Sequence, residues 1–177
     1  LLVCPEEAIR EAAKPIGRLR IGMAGPLHFV EGVLNVGEAM SPPAIHAVKS
    51  AAPVAELTIL DCPPGTSCPV IEGVRGCDLL LLVTEPTPFG LHDLKLAVEM
   101  ARALRLKFGV VVNRADCGDR EVWNYCRRQR IAILAEIPDD RAVAEAYSRG
   151  ELAAEAVPHV AERIGGLLEA IRPGAHV

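Results

Sequence analysis

Leu57-Thr58-Ile59-Leu60-Asp61-Cys62-Pro63-Pro64-Gly65 is an apolar run that ends on an aspartate and passes directly into a rigid Pro-Pro-Gly turn. The run has the character of a buried strand, and it predicts a strand over residues 57–61. A carboxylate at the carboxyl end of such a strand stands where α/β sheets bind ligands. There Asp61 can hold a magnesium ion through water, and Gly65, lacking a Cβ, lets a main-chain N–H approach a phosphate closely. The same aspartate can instead simply cap the turn that follows it. No G-x-x-x-x-G-K-[ST] run, the loop that cradles nucleotide phosphates, occurs among the 177 residues. The chain opens on Leu-Leu-Val-Cys-Pro without an initiator Met, so it is expected to be cut from a longer polypeptide whose missing part lies upstream.

Outward from this stretch, strand and helix signals alternate. Residues 79–84, 108–113 and 131–137 are further Val-, Leu- and Ile-rich strands, separated by helices expected over 70–75, 90–106 and 120–130. The helix over 90–106 places Leu91, Leu94, Ala97, Val98, Ala101 and Leu104 on one face. Helices over 140–148, stopping at Gly150, and over 157–171, broken at Gly165-Gly166, complete the series. Before it, residues 18–24 and 28–36 form a two-strand ribbon turned at Gly25-Pro26, and Ser41-Pro42-Pro43 opens a helix to about Ala52 with Ser41 as its cap. Four near-continuous apolar strands alternating with helices imply an α/β fold with a parallel sheet.

Composition agrees with that fold. Half of the residues are apolar but only 3% are aromatic, so Leu, Val, Ala and Ile must build the core. A net charge of −4 gives no broad footprint for nucleic acid. Arg127, Arg128 and Arg130 form the one dense basic cluster and read as the solvated end of a helix. No apolar stretch is long enough to span a bilayer and the first residues lack signal-peptide character, so a cytoplasmic protein is expected. The six cysteines, Cys4, Cys62, Cys68, Cys77, Cys117 and Cys126, form no C-x-x-C pair, which disfavours zinc. The five histidines share no spacing with carboxylates or cysteines that suggests a triad or a metal site.

Two more strand ends can carry chemistry. Asn113-Arg114 closes an apolar strand, and a side-chain amide there can donate to and accept from adenine at once, although Asn is also a common turn former. Ile137-Pro138-Asp139-Asp140 closes another; Pro138 can pack on a purine face while Asp139 caps the next helix. Cys4-Pro5 has the form of the end of a bacterial ferredoxin cluster-binding run, though one cysteine holds no cluster.

Together, Leu-Asp-Cys-Pro-Pro-Gly-Thr-Ser-Cys-Pro-Val-Ile (60–71), Val-Thr-Glu-Pro-Thr-Pro-Phe-Gly-Leu-His-Asp-Leu (83–94), Val-Val-Asn-Arg (111–114) and Ile-Pro-Asp-Asp (137–140) resemble the MinD and ParA superfamily of P-loop ATPases. More closely they resemble the branch in which a ferredoxin domain is inserted into the ATPase. The resemblance covers nearly the whole chain, with the four motifs in order. It implies a three-layer P-loop NTPase-like sheet, mostly parallel, with helices on both faces and incomplete at the N-terminus. Residues 1–9 would be the remnant of the ferredoxin insertion and residues 10–177 the C-terminal part of the ATPase domain.

By the same resemblance Asp61 is the switch aspartate that holds Mg2+ through water, Gly65 the switch glycine, and Asn113 the adenine reader. Arg114, Pro138 and Asp139 lie beside the base, Cys4 is the last cluster ligand of the insertion, and Asp93 matches an acidic position near the dimer face. In the related nitrogenase iron protein a cysteine shortly after the switch aspartate holds a cluster between subunits, and Cys68 lies at a similar offset. The parent is then expected to be an ATP-, Mg2+- and iron–sulfur-dependent homodimer, coupling its nucleotide cycle to electron or cluster transfer with a protein partner. The net charge of −4 leads us to expect no nucleic-acid partner, and a last helix without a basic face leads us to expect no membrane anchor, although membrane positioning is the role of the best-known relatives. These 177 residues alone are not expected to hydrolyse ATP, because the signature lysine and the phosphate-loop Ser or Thr are absent from them. The alternative is a non-enzymatic redox or protein-binding module that keeps the fold without turnover. In this superfamily the strand bearing the phosphate loop is central, so a sheet without it should have a seam of unpaired backbone groups.

Overall fold

The structure, a computed structural model, describes Pro5, Ala8 and residues 12–172. The chain divides into two units, Leu1–Asp61 with Ile71–Gly73, and Cys62–Val70 with Val74–Val177.

In the first unit the expected ribbon forms. β1 (Gly17–Ala24) pairs antiparallel with β2 (Leu27–Leu34), from Gly17 opposite Leu34 to Ala24 opposite Leu27. Gly25 takes the left-handed conformation at φ +58, which makes so short a reversal possible. α1 (Pro42–Ala51) packs against β2, where the missing side chain of Gly32 leaves room for Val48. Ser41 does not cap this helix as the sequence led us to expect. Its own backbone is helical (φ −86, ψ −27) and its side chain makes no capping bond, whereas a capping residue needs an extended backbone to turn its oxygen inward.

The strand expected over residues 57–61 is also absent. These residues belong to no sheet, and Leu57 and Ile59 are exposed, Ile59 at 75%. An apolar run reports a tendency to be buried, but a strand also requires a neighbour to bond its N–H and C=O groups.

The second unit carries the alternating fold. After α2 (Cys68–Val74), whose residues divide between the units, come β3 (Leu80–Thr84), α3 (Pro88–Ala103), β4 (Phe108–Asn113), α4 (Glu121–Gln129) and β5 (Ile133–Ile137). The strands form a parallel sheet in the order β3-β4-β5. Three parallel strands therefore stand where four were expected.

β4 is the core of this sheet, with Val110, Val111 and Val112 at 0%, 2% and 0% exposure. Val110 and Val112 pack with Leu94 and Val98 of α3 and with Val122, Trp123, Tyr125 and Cys126 of α4. Val70, Val74, Leu80 and Ala101 form a second cluster. α5 (Arg141–Ser148), α6 (Ala153–Ala156) and α7 (Pro158–Ile171) follow, with Ala153, Val157 and Val160 buried among them and α7 against β5. The four-residue α6 has no periodic signal. Gly165-Gly166 does not break α7, which runs through both glycines; their helix-interior cost of about 1 kcal/mol each is overridden. No helix among the described residues is long and apolar enough to cross a membrane.

β3 bonds to β4 on one side and, among the described residues, to no strand on the other, and its Val83 is 67% exposed. Such an edge is a template for another chain. The weight-average mass of the isolated chain should therefore rise with concentration in sedimentation experiments, and Val83→Lys should return it toward the monomer. A wild-type monomer at all concentrations, with a sharp, high-temperature unfolding transition, would contradict this.

Candidate functional site

Parallel strands in register deliver their following loops to one edge of the sheet. Thr84 lies opposite Val112, and Asn113 opposite Ile137, so Glu85, Arg114 and Asp139 each follow a strand at that edge. Arg114 leaves β4 in the left-handed conformation at φ +53, which costs a non-glycine residue of order 1–3 kcal/mol and persists only where its surroundings impose it.

Those surroundings are specific. Arg114 Nε donates to Asp139 Oδ1 at 3.1 Å, and its Nη1 lies 3.9 Å from Glu85 Oε2. One guanidinium thus ties together the loops after β3, β4 and β5. Hydrogen bonding to Asp139, and then the charges of Asp139 and Glu85, raise the Arg114 pKa further above its ordinary value. All three side chains are about half exposed, so solvent screening leaves the network more important for geometry than for stability.

The backbone adds two more ties. Ala115 N–H donates to the Ile137 carbonyl at 2.9 Å, extending the β4–β5 ladder beyond the strands, and Asp139 N–H donates to Asp116 Oδ1 at 2.6 Å. On the β3 side, Asp119 N–H donates to the Pro86 carbonyl at 3.3 Å. Gly118 allows that approach: its φ is +71, and a Cβ there would overlap the Pro86 oxygen. Cys117 sits inside this arrangement. Partial burial, followed by the negative charges of Asp139 and Asp116, raises its thiol pKa above the usual range.

Of the residues singled out from sequence, Asn113, Arg114, Pro138 and Asp139 are brought together at the ends of β4 and β5. Asp139 does not cap α5. Asp140 does, accepting from Ala142 N–H at 2.7 Å, because the helix begins one residue later than expected and Asp140 has the extended backbone a cap requires. Gly65, at φ +91, lies in the turn before α2. Asp61 is an exposed residue of the first unit and does not end a strand, contrary to expectation. Cys68 is the exposed first residue of α2, Asp93 is exposed on α3, and Cys4 lies outside the described residues.

Among the described residues no three or more His, Cys, Asp and Glu side chains group as a metal site. Cys126 is buried in the core. Sequence reading missed Glu85, Asp116 and Cys117. Asp116 was within reach, since Asn113-Arg114-Ala115-Asp116 is an Asn-basic-x-Asp run at a strand end, whereas Glu85 and Cys117 depend on loop contacts that no spacing announces.

The fold is α/β, a parallel three-stranded sheet with flanking helices, and it resembles the P-loop NTPase fold of MinD. The MinD cell division protein of Aquifex aeolicus superposes with a TM-score of 0.53 at 17% identity, covering 66% of this chain and 54% of that one. Two uncharacterised proteins of Methanocaldococcus jannaschii are similar in sequence. MJ0579 is 28% identical over 141 residues, 78% of this chain and 49% of its own length. MJ0578 is 30% identical over 146 residues, 81% of this chain and 50% of its own length. The chain thus spans about half the length of the curated relatives it matches. No family model matches it.

Two outcomes test the arrangement in solution. Gly118→Ala should destabilise the chain by about 2 kcal/mol in urea denaturation, since both the left-handed backbone and the Pro86 contact resist a side chain. Asp139→Asn removes a negative charge that holds the Cys117 proton, so Cys117 should be alkylated faster at mildly alkaline pH, as read by peptide mass spectrometry.

Proposed function

We propose that this chain is the base-binding, C-terminal portion of a MinD-like ATP-binding protein. The observation that carries the reading is the convergence of Asn113, Arg114, Pro138 and Asp139 at the strand ends of a sheet whose fold resembles that of MinD. The Asn113 amide offers the donor and acceptor that adenine requires. Pro138 supplies an apolar flank for the purine, and the Arg114–Asp139 pair holds the two base loops in place before the nucleotide arrives, which lowers the cost of ordering them on binding.

Asp61 is exposed and offers a carboxylate for Mg2+ held through water, and the turn at Gly65 offers main-chain N–H groups to a terminal phosphate. Bound Mg2+ would neutralise charge on the phosphates. A glycine-rich lysine loop would have to come from chain beyond these residues, and relatives of twice the matched length leave room for one.

The ferredoxin insertion and the coupling of nucleotide-gated dimerisation to electron or cluster transfer belong to the same proposal. They rest on Cys4-Pro5 and on the motif resemblance. The described residues assemble no cluster ligand set. Cys68 remains a proposed cluster ligand whose exposure leaves it accessible.

The complete gene product should bind ATP with Mg2+ in titration calorimetry, and Asn113→Ala should weaken that binding about tenfold, the effect of losing one or two partly buried hydrogen bonds. Iron and acid-labile sulfide should copurify with it, and Cys68→Ser should lower the iron content. A folded, complete product that binds no nucleotide would favour the non-enzymatic module.

A further inference from the structure

We infer that Asp116 sets the purine preference of this site by holding the two base loops together, and that it does so against guanine. The inference rests on the nucleotide reading above. Asn113-Arg114-Ala115-Asp116 places a carboxylate three residues beyond the strand-end amide, and a free carboxylate is chemically suited to guanine. That base presents neighbouring N–H donors on its pairing edge, and a carboxylate can accept both through its two oxygens. Adenine presents one donor beside an acceptor and is matched by an amide.

The structure shows where the Asp116 carboxylate is used. Its Oδ1 accepts the backbone N–H of Asp139 at 2.6 Å, a short bond of the charge-assisted kind. The bond does not stand alone. Arg114 Nε on Asp139 Oδ1 and Ala115 N–H on the Ile137 carbonyl join the same two segments. To turn both oxygens toward guanine, Asp116 would have to release Asp139 and loosen the loop that carries Pro138. An Asp116 locked in this bond leaves Asn113 as the residue that reads the base. Asp116 is then a positioning residue: it fixes Asp139 and Pro138 relative to Asn113, and adenine fits the result.

The test is the ratio of ATP to GTP affinity of the complete gene product, measured by competition against a fluorescent ATP analogue, with wild type, Asp116→Ala and Asp116→Asn compared. Wild type should favour ATP. Asp116→Ala should lower that preference about tenfold, chiefly by weakening ATP. Asp116→Asn keeps an oxygen for the Asp139 N–H and should retain the preference. Circular dichroism and a thermal melt of each variant separate this from misfolding, and the Asn variant carries the test if the Ala variant does not fold. A wild type that prefers GTP would overturn the inference while leaving nucleotide binding intact, as would an Ala variant with an unchanged ratio or an Asn variant that loses the preference. A folded wild type that binds neither nucleotide would overturn the functional reading and this inference with it.

Discussion

The burial of β4 on both faces is the constraint from which the rest of the second unit follows. Val110, Val111 and Val112 are almost wholly withdrawn from water, each contributing about 1.5–3 kcal/mol of hydrophobic stabilisation. A strand with no solvent face must have layers on both sides and strands at both edges, and the crossover helices α3 and α4 provide the layer over Val110 and Val112. α3 and α4 supply Leu94, Val98, Val122, Trp123 and Cys126 to one cluster. Because each crossover returns the chain to the same end of the sheet, every strand finishes at one edge. The gathering of Glu85, Arg114 and Asp139 is thus a by-product of burying three valines.

What turns that edge from a set of loops into a shaped site is backbone conformation more than binding strength. Arg114 and Gly118 both adopt positive φ within five residues of the end of β4. The first is an arginine, so its conformation is held by partners; the second is a glycine, so its conformation is permitted by absence. Together they fold the loop after β4 against Pro86 on one side and Asp139 on the other. The ion pairs are half exposed and screened, so their effect is to select one arrangement among several of similar energy.

Legibility from sequence followed the physics of each signal. β4 was read to the residue from an apolar run that ends in a polar amide, and the turn-forming dipeptide Gly25-Pro26 gave the β1–β2 reversal. The ends of helices were less legible. Asp139 and Asp140 are adjacent and chemically identical, so only the backbone geometry at Asp140 decides which one caps α5. Gly165-Gly166 reads as a break by propensity, but a helix lying against β5 continues through it. Asp116 was hidden differently, since its partner is a backbone N–H 23 positions along the chain.

Residues 57–61 and β3 mark the limit of that kind of reading. Both have the composition of interior strands, yet Ile59 and Val83 are exposed, and neither segment has a full complement of neighbours among the described residues. Isolated exposed apolar side chains are ordinary on protein surfaces. They become informative when they fall on a backbone whose N–H and C=O groups also lack sheet partners, because the apolar surface and the hydrogen-bonding groups then call for the same thing, an adjacent strand. Alternation and hydropathy report the demand for a neighbour. They carry no information about which segment meets it, which is why a pattern fit for a strand at Leu57 and Ile59 coexists here with a chain that does not form one.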